Sequence, residues 1–288
     1  MRLEIESYYQ SYKPLLFSLA YRMLGSVSDA EDIVQDVFLT LDGLAEEEIR
    51  QPKSYLCKMV TNRCIDHLRS AANQRETYMG TWLPEPYVTA SDDHNDPIQR
   101  YLRKEEISTA YLFLMEQLTW VERVVFLLRE VLQYDYEVIA EIVGKSRVNC
   151  RQIYHRAKKS VGDLRDKKVI PEEETAELVT KFAESLLTGN VQQLLGILSE
   201  DAILYSDGGG KVQAALRPIQ GLERISSFFQ FTLPKLPADF SIRFYRVNGQ
   251  MGLVTTYNGA TAVISFEIQD NQIQSIYGVA NPDKVKLP

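Results

Sequence analysis

The sequence predicts a multidomain chain, with two all-α units followed by one α+β domain. Three observations lead there. Apolar stripes at helical spacing run through residues 1–168, with turn-forming breaks between them. Within them, YEVIAEIVGKSRVNCRQIYHRAKK (136–159) reads as a short helix, a tight turn and a strongly basic second helix. After Pro171 the pattern changes: helical stripes come first, then strand-like runs separated by Asn-Gly and Asp-Asn pairs.

The first helix is expected over 3–24, with apolar and aromatic positions from Leu3 to Leu24 and a bend near Pro14. Gly25 and Ser26 break it. Ser28, three residues before Glu31, suggests a capping box for the next helix, DAEDIVQDVFLTL. That helix buries Ala30, Ile33, Val34, Val37, Phe38 and Leu41 and presents an acidic face. Gly43 to Lys53 is a linker, and Pro52 can open the third helix, PKSYLCKMVTNRCIDHLRS. Its apolar side carries Tyr55, Leu56, Met59, Val60, Cys64, Ile65 and Leu68, and its other side is polar and mildly basic. His67 adjoins Asp66, but neighbouring residues on a helix do not face each other.

Residues 71–99 read as an extended tether, because Pro84, Pro86 and Pro97 with several Asp and Asn residues oppose a packed element. WLPEPYV (82–88) stands out within it as a stiff, apolar segment suited to docking or to covering a neighbouring core. Two helices are expected over 100–130, the second being WVERVVFLLREVL.

The helix-turn-helix follows. Val138, Ile139, Ile142 and Val143 lie mainly on one stripe, and Gly144 ends the first helix. Ser146 can cap the second, which buries Val148, Cys150, Ile153 and Ala157. A plain helical hairpin would need the same turn and stripes. The charge decides between them. From 145 to 168 stand Lys145, Arg147, Arg151, Arg156, Lys158, Lys159, Arg165, Lys167 and Lys168 against only Asp163 and Asp166, in a protein of formal net charge −7. So concentrated a basic block is a footprint for phosphates, with the second helix in the DNA major groove.

The third part opens with an acidic helix after Pro171, with Leu178, Val179, Phe182, Ala183, Leu186 and Leu187 as its stripe. VQQLLGILSED is expected as a second helix, then AILYSDGGGK as a short strand and glycine turn. Another helical segment follows Pro218. Strands are expected at 240–247, 251–257, 260–268 and 272–279, joined at Asn248-Gly249, Asn258-Gly259 and Asp270-Asn271.

Composition excludes other classes. At 288 residues, 45% hydrophobic and 25% charged, the chain is that of a soluble globular protein. Its start, MRLEIESYYQ, has no signal-peptide pattern, and no run is long enough to span a membrane. A cytoplasmic protein without a membrane partner is expected. Three cysteines (Cys57, Cys64, Cys150) and three histidines are too scattered for a metal site, and neither metal nor cofactor is expected. The glycine run 207–211 lacks the spacing and Ser/Thr of a phosphate-binding loop. Asp207 with Tyr205, Tyr245 or Tyr257 could be nominated as an isomerase pair, but an aspartate in a glycine turn commonly bonds nearby backbone. No catalytic residue is assigned.

DAEDIVQDVFL (29–39), SYLCKMVTNRCIDHLRS (54–70), LTWVERVVFLLREVLQYDYEVIAEIVG (118–144) and CRQIYHRAKK (150–159), in this order, resemble the extracytoplasmic-function sigma factors of bacterial RNA polymerase. The strand-and-helix order after 169 resembles the cone-shaped SnoaL-like branch of the nuclear-transport-factor-two and ketosteroid-isomerase superfamily. WLPEP (82–86), DGGGK (207–211) and NPDKV (281–285) resemble signature segments of the sigma subgroup that carries such an extension.

The resemblance implies a division of the chain. Region two (1–70) would meet core polymerase and the −10 element, and 71–104 would be the linker. Region four (105–168) would be the helix-turn-helix for the −35 element and meet the polymerase flap. The SnoaL-like regulatory domain would be 169–288. Carried over by position, Asp29, Asp32, Gln35 and Asp36 would meet the polymerase clamp. Lys58, Asn62, Arg63, Asp66 and Arg69 would lie beside the −10 DNA, with 44–52 as the base-holding loop, here short and acidic. Arg147, Asn149, Arg151, Gln152, His155, Arg156, Lys158 and Lys159 would meet the −35 element. Trp82, Leu83, Pro84, Glu85 and Pro86, with Asp207, Gly208, Gly209, Gly210 and Lys211 and with Asn281, Pro282, Asp283, Lys284 and Val285, would form a regulatory contact between domains. The expected protein is a non-enzymatic sigma factor regulated in cis. Its partners would be core polymerase (clamp and flap) and promoter DNA, with a possible unknown small ligand in the last domain and a monomeric free state. A stand-alone DNA-binding regulator with a ligand-sensing domain is the alternative, separated by its independence from core polymerase.

Overall fold

The computed structural model describes residues 2–42, 51–75, 78–90, 96–162 and 171–288. Residues 43–50, most of the expected linker and of the base-holding loop, and the last basic residues, Arg165, Lys167 and Lys168, lie outside them.

Helix α1 (Arg2–Leu24) carries Pro14 inside it, and Gly25 ends it in the left-handed region (φ 66°). Helix α2 (Val27–Asp42) is capped differently from the expectation. Ser26, not Ser28, accepts from the Asp29 N–H at 3.2 Å, because the Ser28 hydroxyl is engaged elsewhere. Helix α3 (Pro52–Arg75) begins at its proline. It buries Leu56, Cys57, Val60, Cys64, Ile65 and Leu68 and leaves Tyr55 39% exposed, so that tyrosine is not core. All three cysteines are free and buried. Burial pushes the Cys57 thiol up to about 11, which suits small hydrophobes rather than nucleophiles.

The stretch expected to be a tether is largely structured. Leu83, Pro84, Glu85 and Pro86 are buried, Val88–Ala90 form strand β1, and Pro97–Lys104 form helix α4. Asp96 caps α4 by accepting from the Ile98 N–H. Prolines at 84, 86 and 97 thus stiffen a packed segment and start a helix rather than solvate a linker.

Where two helices were expected there are three: α4 and then α5 (Thr109–Glu116) and α6 (Trp120–Glu130), α6 opening on a capping box between Thr119 and Glu122. Helices α7 (Tyr136–Val143) and α8 (Arg147–Val161) form the helix-turn-helix. Gly144 (φ 66°) ends α7, and Ser146 accepts from the Asn149 N–H to cap α8. Val138 (41% exposed) and Val148 (68%) were expected in its core but face solvent; Ile139, Val143, Cys150, Ile153, Ala157 and Val161 build it. The two helical units share one continuous core, running from Leu16 on α1 through Val60 on α3 and Val124 on α6 to Val161 on α8. Arg123 of α6 donates to the Met23 carbonyl at the end of α1 (2.7 Å) and pairs with Glu116, both side chains buried.

The C-terminal part is α+β. Helix α9 (Glu172–Thr188) ends at Gly189, with Leu187 exposed rather than on its buried stripe. The second helix is a single turn, α10 (Val191–Leu195), because the chain turns into strand β2 (Leu198–Asp207) where a longer helix was expected. Strand β3 (Ile219–Gln220) precedes helix α11 (Leu222–Thr232). Strands β4 (Ser241–Val247), β5 (Gln250–Tyr257), β6 (Ala260–Gln269) and β7 (Gln272–Val279) form the meander. All three expected hairpin pairs hold positive φ at both residues, from 49° at Asn258 to 83° at Gly249, which suits the twist of a two-residue turn. The sheet order is β1-β4-β5-β6-β7-β2-β3, and among the described residues only β2 and β7 pair in parallel. Phe182 of α9 lies edge-on against Phe229 and Phe266, at the centre of this domain's core. β1, from between the helical units, is an edge strand of the C-terminal domain's sheet.

Candidate regulatory junction and nucleic-acid interface

At the junction, three separated segments converge on Asp207, whose side chain is wholly buried at the end of β2. Its Oδ1 accepts from the Tyr78 hydroxyl (2.5 Å) and the Gly209 N–H (3.0 Å). Its Oδ2 accepts from the Leu83 N–H (2.9 Å) and from Lys284 Nζ (2.8 Å). A buried carboxylate is stable only when paired and bonded in this way. Lys284 also donates to the Leu83 carbonyl at 2.7 Å, and its ammonium lies 4.0 Å from the Trp82 ring centroid. Burial, then the facing Asp207 carboxylate, push the Tyr78 hydroxyl well above its usual range.

The glycines fit this geometry. Gly209 (φ 60°) lies so close to Asn281 that a Cβ would stand 2.4 Å from its Cγ. The buried Asn281 donates to the Tyr78 hydroxyl and accepts from the Asp283 N–H, which turns Pro282 and Asp283 outward. Lys211 pairs with Asp283 at 2.6 Å on the surface, Gly208 is buried and Gly210 is exposed beside Met79. Val285 packs against Leu83, Ala110, Tyr277 and Val279. The three segments singled out in the sequence therefore meet.

Glu85 anchors the other end of the buried segment. Its carboxylate accepts from the Ser26 hydroxyl (3.0 Å), the Ser28 N–H (3.1 Å) and the Ser28 hydroxyl (2.8 Å), at the N-terminus of α2. The helix dipole and the free N–H groups there favour an anion. Lys286 of the C-terminal tail bonds Ser28 and lies 3.6 Å from Glu85.

Sequence reasoning missed Asn248. It was legible only as half of a turn pair, yet it is 1% exposed. Its Oδ1 accepts from the Tyr21 hydroxyl on α1 and the Tyr87 N–H, both at 2.9 Å, and its Nδ2 donates to Thr109 Oγ1 on α5 at 3.1 Å. One amide thus joins the first helix, the buried segment and the second helical unit. Tyr21 shares its proton between Asn248 and the Glu85 carbonyl (2.5 Å), and burial pushes it far up. Tyr205 and Tyr277, the first a nominated isomerase residue, stack on each other and meet the Phe113 ring of α5 at a tilt.

The other site residues are surface features. On α2, Asp32, Gln35 and Asp36 are exposed, and Asp29 lies 3.5 Å from His67 of α3. On α3, Lys58, Asn62 and Asp66 are exposed, Arg63 donates to Thr40 at 2.6 Å, and Arg69 lies over the Trp120 ring at 5.0 Å. On α8, Arg147, Asn149, Arg151, Gln152, His155, Arg156, Lys158 and Lys159 are all exposed along one basic face. Some are held by acids of their own unit: Arg147 by Glu137 (2.7 Å), Arg156 by Glu122 (3.8 Å) and Lys158 by Glu130 (3.4 Å). An open groove runs between His155, Lys158, Lys159 and Gly162. Among the described residues no helix is long and apolar enough to cross a membrane, and no cluster of His, Cys, Asp and Glu could hold a metal ion.

Residues 8–74 match the model of Sigma-70 region 2, and residues 108–161 that of Sigma-70 region 4. The chain is 31% identical to the ECF RNA polymerase sigma factor SigJ of Mycobacterium tuberculosis, over 96% of this chain and 92% of that protein. It is 29% identical to the probable ECF RNA polymerase sigma factor SigI of the same organism, over 67% of each. The crystal structure of the M. tuberculosis extracytoplasmic function sigma factor SigJ superposes with a TM-score of 0.78 at 28% identity, over 96% of this chain and 97% of that one.

Proposed function

The chain belongs to the extracytoplasmic-function sigma factors of RNA polymerase, and from that premise we propose that its C-terminal domain holds it closed. As a sigma factor it directs core polymerase to promoter DNA. It is not an enzyme, and polymerase performs the chemistry.

The working division is region two over 1–70, a linker over 71–104, region four over 105–168 and the SnoaL-like domain over 169–288. In region two, Asp29, Asp32, Gln35 and Asp36 bind the polymerase clamp, and Lys58, Asn62, Arg63, Asp66 and Arg69 face the −10 element. In region four, Lys158 and Lys159 bind phosphates, while Arg147, Asn149, Arg151, Gln152, His155 and Arg156 meet the −35 element, some of them at base edges. Exposure of these side chains, all but the half-buried Asp29 and Arg63, supports the assignment. The free protein is a cytoplasmic monomer, and its C-terminal domain is open to a small ligand.

Cis restraint rests on one observation. The buried Asp207 bonds Tyr78, Leu83 and Lys284, so the linker and the C-terminal tail close over the same carboxylate. The two promoter-reading units are packed on one core, whereas reading separated elements requires them apart. Run-off transcription with purified core polymerase tests this. Full-length protein, residues 1–168 alone and a protein lacking 281–288 are compared on a genomic fragment pool. Discrete core-dependent starts whose yield differs among the three are expected. Equal yields sink cis restraint, and specific DNA binding without core would instead favour a stand-alone regulator.

A further inference from the structure

The segment from Leu83 to Tyr87 is gripped by its backbone at every second residue. The Leu83 N–H goes to Asp207 and its carbonyl to Lys284. The Glu85 N–H donates to the Gly25 carbonyl at 2.8 Å, and its carbonyl accepts from Tyr21. The Tyr87 N–H goes to the Asn248 side chain, and its carbonyl accepts the Asn248 N–H at 2.9 Å. Between them stand Pro84 and Pro86, which have no N–H to satisfy. The next residues continue as a strand, with Val88 opposite Val247 and Ala90 opposite Tyr245.

This is how proteins receive an extended peptide: main-chain bonds supply grip, and side-chain pockets supply selectivity. The pockets are present. Leu83 is fully buried among Ala110, Tyr277 and Val279, Glu85 sits on the N-terminus of α2, and Trp82 covers the Lys284 ammonium. Groove walls come from both helical units and the C-terminal domain, so whatever fills it decides whether the units stay together.

We propose that this groove is an exchangeable peptide-binding site. The chain's own linker occupies it in the closed form. The partner that releases the sigma factor presents an extended aromatic–Leu–Pro–acid–Pro segment that takes the linker's place. The release step rests on the cis-restraint reading; the binding step does not.

A tethered segment competes at an effective concentration of roughly millimolar. A free peptide therefore meets the wild type weakly and a protein with a weakened linker strongly. The probe is a fluorescent peptide of residues 81–90, read by anisotropy against full-length protein and a full-length Leu83→Ala/Glu85→Ala variant. Circular dichroism checks folding, and Glu85→Gln alone serves if the double variant is unfolded. Binding at least tenfold tighter to the variant than to the wild type is expected. A peptide with lysine in place of its glutamate should bind at least tenfold more weakly, and excess peptide should raise core-dependent transcription from the wild type. A folded variant without that preference overturns the proposal, and peptide binding that leaves existing core-dependent transcription unchanged overturns its release step. A variant that dimerises and excludes the peptide also overturns it, by giving the groove to a second copy's linker. Peptide exchange in a protein that yields no core-dependent start upholds the groove and overturns only the function beneath it.

Discussion

Asp207 shows what a single buried charge requires. Four donors surround its carboxylate, and three of them come from other parts of the chain, Tyr78 and Leu83 before it and Lys284 after. Removing one partner of a buried pair leaves the other stranded, at a cost of about 3–5 kcal/mol. Asp207→Ala is expected to lower the stability of the full-length protein by about that much in urea titration. The two junction tyrosines add a pH limit. Burial raises both Tyr21 and Tyr78 in the closed form, whereas the freed phenols would ionise near pH ~10. Their contribution is therefore complete below about pH 10 and lost as the pH rises beyond it. Fluorescence between labels on the two helical units should report separation on that alkaline side. On α8, Lys159→Ala should weaken DNA binding uniformly and reduce the salt slope by about 1, whereas Gln152→Ala should relax preference at one base by about 1–3 kcal/mol.

Elements differed in how openly the sequence announced them. Helix α8 was legible because its signals are local: a glycine stop at 144, a serine cap at 146 and a run of bases. Ser146→Ala should cost about 1 kcal/mol of stability through the lost cap, read as a shift in urea midpoint. The hairpin pairs were equally plain, since residues able to take positive φ advertise two-residue turns. β1 was hidden. Its three residues, flanked by prolines and acids, look like solvated chain, and only β4, more than 150 residues later, makes them a strand. Separation in sequence also concealed Asn248 as a junction residue and Ser28 as a ligand of Glu85 rather than a cap. Val148 failed for another reason: on an amphipathic helix a lone apolar residue beside the stripe need not belong to it. Asn248→Gly separates the two roles, because glycine keeps the turn while losing the amide. It should leave the hairpin folded by circular dichroism and still raise the transcription yield of the full-length protein.

For the whole molecule, the segments WLPEP, DGGGK and NPDKV were recognisable, but their meeting at one carboxylate was not, because tertiary proximity leaves no local trace. Nor was it legible that the two helical units share one core. Separate stripes on α1 and α6 read as two private interiors, and only packing merges them. That shared seam carries a thermal consequence. Apolar burial has a large heat-capacity signature and weakens on cooling. Parting the units wets the seam, so polymerase binding that opens them should show a smaller negative heat-capacity change in calorimetry than binding of residues 1–70 alone. A closure held largely by burial also loosens in the cold, which makes the threshold for transcription itself a function of temperature.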